Sequence, residues 1–421
     1  VLLGVGVLVN YFDRVNLSVS HDALVNIFGI DAAMFGQLSA AYSWTYAACQ
    51  LPTGLILDRL GVRRVSLWSI SIWGVASLAA AFSPTIFLFF AARLLLGIGE
   101  APTFPANAKA VGRWFPQAER SLATAIFDCS AKLANGIGVP VLGLLLLRIG
   151  WRSSFAVTAG LSFAYLGLFA LVYREPRRFS RRDVTPRNTE TEVASATDAS
   201  ATLWFEATPP IPLKRLLVEP KVLGVAIGFG SYNYVFYLLL TWLPTYLTAS
   251  LHITARASFL FTGAPWLAAA VLELLIGGVL TDALIRSGRD ASRVRQTVLV
   301  LGMLCGLGIF GAAYAHTLTA ALLWISVSLG GLSAAAAVGW SIPSLIVPNS
   351  STGAVGGIVN FSNQLSAIAA PILTGYTVQH TGKFIWAFGI ATAYLLVGIL
   401  AYVLLLRRIE PIDVPHALAE A

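Results

Sequence analysis

The chain reads as an all-α integral membrane protein with twelve transmembrane helices arranged as two pseudo-symmetric six-helix bundles. Three observations predict this. Of the 421 residues, 57% are hydrophobic and only 11% charged, with a mean hydropathy of +0.75, whereas about a quarter of residues are charged in average soluble domains. Twelve apolar runs approach the ~20 residues needed to cross the hydrocarbon layer, and together they nearly use up the length. The basic residues alternate: 20 of the 28 Lys and Arg fall on one set of loops and ends, 4 on the other, and 4 (Arg14, Arg93, Lys109, Lys132) inside the helices. That positive-inside asymmetry places the loops at Arg59 to Arg64, Arg113 to Arg120, Arg174 to Lys221 and Arg286 to Arg295 in the cytosol. The end after Arg407 joins them, so both termini are expected to be cytosolic, in a multi-pass protein of the cell's inner (plasma) membrane.

Taken in order, the first bundle spans 1–173. Helix 1 (1–22) runs from Val1 to Val9 without a small-residue cleavage site into Asn10-Tyr-Phe-Asp-Arg14, so it reads as a membrane helix and not a signal peptide. Helix 2 (34–57) carries Tyr46 and ends on Gly54-Leu-Ile-Leu-Asp58 before basic residues, and helix 3 is 65–83. Helix 4 (85–110) holds Arg93 and Glu100, seven residues apart, which is two turns and therefore one face. Helix 5 (121–144) carries Asp128 and Lys132 four apart, and helix 6 is 154–173. The stretch 174–221, rich in Arg, Pro, Ser, Thr and acidic residues, lacks a sustained apolar run and reads as a cytosolic linker. The second bundle, 222–406, follows as helices at 222–247, 258–281, 297–315, 319–345, 354–378 and 384–406, leaving 407–421 as a cytosolic tail.

The halves echo each other: Gly278-Val-Leu-Thr-Asp282 ends helix 8 before Arg286 and Arg289 as Gly54 to Asp58 ends helix 2. Six helices plus six with matching punctuation form an internal repeat, and parallel repeats of this kind enclose a site near the bilayer midplane. Glycines and prolines within the runs (Gly97, Gly99, Pro102 and Pro105; Gly136, Gly138 and Pro140; Gly353 to Gly357 with Pro371) predict close packing and kinks.

An ionisable side chain at bilayer depth costs ~2.5–3.5 kcal/mol on insertion scales, so Asp13, Arg14, Arg93 and Glu100 need partners or a task. Guanidiniums replace the lost hydration of a carboxylate with charge-assisted, often bidentate hydrogen bonds. Arg14 and Arg93 are therefore the candidate anion-binding pair, with Asp13 and Glu100 balancing their charge. Asn360, Asn363 and Gln364 on helix 11 put amides at helical spacing, suited either to hydroxyls of a solute or to holding helices together. Tyr234 and Tyr237 on helix 7 are weaker candidates. Asp128 and Lys132 fit a self-neutralising pair on one helix face, or Lys132 supplies a further cation. Glu273 on helix 8 has no evident partner, and it stands as a further candidate site. Asp58, Arg59, Arg63, Arg64, Arg113 and Arg120 are placed to form cytosolic charge pairs that open and close as a gate. Cys49, Cys129 and Cys305 read as small packing residues. The histidines (His21, His252, His316, His380, His416) offer no metal spacing, and no phosphate-binding Gly-rich loop is present. No metal, cofactor, nucleic acid or enzymatic activity is expected.

Gly54-Leu-Ile-Leu-Asp-Arg-Leu-Gly-Val-Arg-Arg64 resembles the loop motif between helices 2 and 3 of the major facilitator superfamily. Asn10 to Arg14, Arg93 to Pro105, Trp114-Phe-Pro116 with Glu119-Arg120, Gly150-Trp-Arg152 and Thr241-Trp-Leu-Pro-Thr-Tyr246 look like its anion:cation symporter branch, including galactonate- and hexuronate-type sugar-acid:proton symporters. The resemblance implies a monomeric carrier in the bilayer that imports a small organic anion together with protons by alternating access. It further implies that protons pass through Asp13 and Glu100, and that Tyr46 touches substrate. One departure stands out: where galactonate-type members carry a polar amide on helix 5, this chain has Ala131. The rival readings are a proton-coupled exporter of amphiphiles or drugs, and a carboxylate-binding membrane sensor that moves nothing.

Overall fold

The computed structural model describes residues 1–114, 120–174 and 211–412, and every regular element among them is helical. Twelve crossings follow: α1 (Leu2–Val19), α2 (Ala32–Leu60), α3 (Val62–Ala81) and α4 (Ile86–Glu100, continued by Thr103–Trp114). Next, α5 and α6 are the two limbs, 120–149 and 151–172, of a helix broken at Gly150. The second half has α7 (Pro220–Leu251) and α8 (Ala255–Leu272, running through a π-helical Glu273–Leu280 into Thr281–Arg286). It continues with α9 (Ala291–Gly306, then Gly308–Ala312) and α10 (Leu318–Gly339, then Pro343–Ile346), and closes with α11 (Asn349–Thr381) and α12 (Ile385–Ala401, then Tyr402–Leu406). Among the described residues, eight helical stretches are individually long and apolar enough to cross a membrane, and nine if the bent pair His21–Phe28 and Ala32–Gln50 counts as one. The polar Asn10, Asp13, Arg14 and Asn16 of α1, the amides of α11, and the merging of α5 with α6 account for the remainder.

Short polar side chains set the helix starts. Asp31, Thr85, Thr254, Asp290 and Thr317 each accept a hydrogen bond from the backbone N–H three residues on, opening α2, α4, α8, α9 and α10, which satisfies a donor the helix leaves free. Two reversals need glycine: Gly61 between α2 and α3 (φ 81°, ψ 166°) and Gly150 between α5 and α6 (φ 80°, ψ 167°) share a backbone region open essentially to glycine alone. Two residues after each, an arginine reaches the end of a neighbouring helix. Arg63 donates to the Ala170 and Tyr173 carbonyls at the end of α6, and Arg152 to the Ser83 carbonyl just after α3. The two reversals are thus braced alike, each arginine satisfying carbonyls that a helix end leaves open.

The bundles meet tightly along two seams. A methyl group on Gly36 of α2 or Gly375 of α11 would strike the backbone carbonyl of Pro371 or Ala32, and one on Gly263 of α8 would strike that of Gly136 on α5. These contacts lie toward the end opposite the basic loops. There Ser18 donates to the Thr241 carbonyl (2.9 Å), Gln37 to Tyr376 (3.1 Å), and Trp242 packs edge-on to Phe35 with ring centroids 5.3 Å apart. The expectation for Gly353 to Gly357 needs correction: nothing lies within 4 Å of where a Cβ would sit on Gly353, Gly356 or Gly357, nor on Gly54. Those glycines face open space.

Candidate functional site

Between the bundles, a cavity is lined by Arg14, Leu17 and Ser18 of α1, Ser39, Tyr42 and Ser43 of α2, and Arg93 of α4. The second bundle closes it with Tyr237, Leu240 and Thr241 of α7 and Ala367 and Pro371 of α11. Both guanidiniums predicted to act together face this one space. Close helix contact brings them there: Gly97, one turn beyond Arg93, has no room for a side chain against Thr45 and the Tyr42 carbonyl of α2.

The two arginines are held differently. Arg14, 6% exposed, donates to Glu100 Oε2 at 2.9 Å and to Asn10 Oδ1 at 3.0 Å. Its guanidinium carbon also lies 4.3 Å from the Tyr11 ring centre, 4.6 Å from Tyr42 and 5.6 Å from Tyr46, so π-faces stabilise the cation where water is scarce. Arg93, equally buried, makes one long hydrogen bond, 3.5 Å to the Asp13 backbone carbonyl, its guanidinium carbon lies 5.8 Å from the Tyr42 ring centre, and its Nε has no acceptor. Most of the five donors a guanidinium carries make no hydrogen bond among the described residues.

The acids are arranged differently from what the seven-residue spacing suggests. Arg93 and Glu100 share a face of α4, yet Glu100 pairs across to Arg14 on α1, and its Oε1 is buried with no partner. Asp13 pairs with neither arginine side chain within ion-pair distance; Ser77 of α3 donates to its Oδ1 at 2.7 Å and Ser162 of α6 to its Oδ2 at 3.4 Å. A hydroxyl donates to a carboxylate or accepts from a carboxyl O–H equally well, so this cradle suits Asp13 with or without a proton.

The remaining candidates fall in three places. Tyr46 is buried beside Tyr42, their ring centroids 5.4 Å apart, behind the cavity wall. Asn363 and Gln364 are buried with Oδ1 and Oε1 lacking donors, and Asn360 is half-buried. None of the three is on the cavity lining, but Asn360 and Gln364 share the face of Ala367 and Pro371, one and two turns toward the basic loops. Glu273 has a partner after all: Lys132 lies 2.8 Å from Asp128 and 3.2 Å from Glu273, so the i,i+4 pair of α5 is one half of a triad that reaches α8. Of the gate set, Arg63 caps α6 as described and Arg59 is exposed. The side chains of Asp58, Arg113 and Arg120 lie outside the described residues, as do 175–210 of the linker and 413–421 of the tail.

Sequence reasoning passed over Ser39, Tyr42, Ser43, Ser77 and Ser162, and ranked Tyr237 low. A signal was available on α2, where Ser39, Tyr42, Ser43 and Tyr46 recur at three- and four-residue steps and form a polar stripe.

The Major Facilitator Superfamily model matches residues 3–289. The chain is 35% identical over 407 residues to an uncharacterized transporter, YybO, of Bacillus subtilis, covering 96% of this chain and 93% of that protein. It is 31% identical over 412 residues to a D-galactonate transporter of Escherichia coli O6:H1, covering 97% and 95%. A solved bacterial homolog of the human lysosomal transporter Spinster superposes with a TM-score of 0.73 at 15% identity, over 96% of each chain.

Proposed function

The chain belongs to the major facilitator superfamily, whose members are transporters and not enzymes, and from that premise we propose that it imports a sugar acid or related carboxylate with protons by alternating access. The observation that carries this reading is Arg93: a buried guanidinium with open donors, facing the same cavity as Arg14. An apolar drug or amphiphile offers such a group nothing, whereas a carboxylate meets it with two parallel hydrogen bonds. The relationship to the galactonate transporter supports the same class.

Charge explains the coupling. Arg14, Arg93, Asp13 and Glu100 cancel formally when all are ionised, so an entering monoanion leaves one uncompensated negative charge, which is costly away from water. A proton on Glu100 removes it and loosens Arg14, freeing that guanidinium for the guest; Asp13, in its serine cradle, takes a second. The driving force is adequate, since each pH unit supplies about 1.36 kcal/mol per proton and each net charge moved about 2.3 kcal/mol per 100 mV. In this reading the chain works as a monomer in the inner membrane with both termini cytosolic. The cytosolic charges at Asp58, Arg59, Arg113 and Arg120 act at the gate.

Uptake of radiolabelled galactonate and other sugar acids into proteoliposomes, with and without an imposed inward proton gradient, tests it. Accumulation only with the gradient is expected. Counterflow of labelled anion that ignores pH would remove the proton from the mechanism, and binding without counterflow would make the chain a sensor.

A further inference from the structure

Among the described residues, the one buried charge of the second bundle is Glu273, 6% exposed, and it sits where α8 meets α5 of the first bundle. Lys132 Nζ lies 2.8 Å from Asp128 Oδ2 and 3.2 Å from Glu273. Both carboxyls are thereby held against one ammonium. Glu273 is buried and both its oxygens depend on that same ammonium: Oε1 accepts its hydrogen bond at 3.2 Å, and Oε2 lies 3.2 Å from it without one. Two carboxylates thus share a single ammonium, which leaves an excess negative charge in a place where the cost of an uncompensated charge is high. The other groups facing the cluster are Tyr232 of α7 and Cys129 of α5, with Tyr11 of α1 beside Lys132 and Asp128. None is a second cation. On α10 the packing against this part of α8 is made by small residues, with Ala334 and Ala337 against Gly277.

We propose that Asp128 and Glu273 bind one proton between them beside Lys132, forming a proton site on the seam between the bundles, separate from Asp13 and Glu100. A proton on one carboxyl oxygen donates to the other carboxylate and leaves Lys132 paired with one net negative charge. Such a pair titrates as a unit. The proton enters through Asp128, the one member with appreciable exposure (20% of its side chain). Because the pair bridges α5 and α8, losing the proton sets two carboxylates against each other across the seam, and gaining it joins the bundles by a hydrogen bond.

Infrared difference spectra of the purified full chain in lipid at neutral pH test this without any substrate, so the outcome is independent of whether the carried anion has been identified. Wild type minus Glu273→Gln is expected to show the C=O band of one protonated carboxyl, and wild type minus Asp128→Asn the same band, because either change leaves a neutral acid–lysine pair that needs no proton. Subtracting Asp13→Asn or Glu100→Gln should leave that band untouched. A difference containing only carboxylate bands for both seam variants would overturn the proposal. Asp128, being partly exposed, is the more tolerant site, and its variant decides the matter if Glu273→Gln fails to elute as a folded protein.

Discussion

The two bundles share a scaffold but divide the chemistry unequally. Of the six charged residues buried among those described, Asp13, Arg14, Arg93, Glu100 and Lys132 belong to the first and only Glu273 to the second. The second bundle instead offers Tyr237 and Thr241 to the cavity, with Asn363 and Gln364 nearby. A duplicated fold therefore does not imply a duplicated site. The buried charge around the cavity is concentrated where helices α1, α2, α3, α4 and α6 supply hydroxyls, an amide and rings. The opposite wall supplies neutral groups.

The sharpest way to break that asymmetry is to remove the arginines. Arg14→Ala leaves Glu100 buried and unpaired as well as deleting a donor, and Arg93→Ala removes the open fork. Since hydrogen bonds to charged groups contribute ~1.5–3 kcal/mol each, uptake should fall by at least ~100-fold in either, measured as initial rate in proteoliposomes. Arg93→Lys keeps the charge but not the planar fork, and about a tenfold loss is expected; unchanged uptake would rule out bidentate binding. The acids should give a different phenotype. Glu100→Gln and Asp13→Asn are expected to retain counterflow within a few-fold while gradient-driven accumulation disappears, and loss of both activities together would make these residues structural.

How far the sequence foretold this depends on the physics behind each feature. The twelve crossings were legible because lipid demands long apolar helices, and the pairing of Arg14 with Arg93 in one space followed from the cost of burying them. Two partnerships were not: Glu100 with Arg14, and Glu273 with Lys132. Periodicity along one helix shows which residues share a face, but the partner on another helix depends on rotation and depth set by packing. Gly97 against α2 and Gly136 against α8 fix those quantities here. The serines around Asp13 were hidden for a further reason, since single hydroxyls on α3 and α6 are ordinary in membrane helices. The glycines of α11 misled because a small residue permits close approach without requiring it.

Close helix packing, within the first bundle and between the bundles, gives a middle-sized effect. Gly263→Val puts a branched side chain into the Gly136 backbone, which cannot yield, and Gly97→Val does the same between α4 and α2. Overpacking of this kind costs ~1–3 kcal/mol or more, so both variants should lose several degrees of thermal stability in detergent. Gly356→Ala meets nothing within 4 Å and should leave that stability unchanged.

The smallest effects should come from the amide wall, and they sharpen the comparison most finely. Gln364 lies one turn from Ala367 on the cavity-facing side of α11, and its Oε1 lacks a donor, as does Asn363 Oδ1. If they serve a sugar acid's hydroxyls, each neutral hydrogen bond contributes ~0.5–1.5 kcal/mol. Gln364→Ala and Asn363→Ala should then raise KM for a polyhydroxylated acid by about 2- to 10-fold and leave a short carboxylate without hydroxyls unaffected. Equal losses for both anions would mean that the amides hold α11 in place, and that the arginine side of the cavity selects the guest unaided.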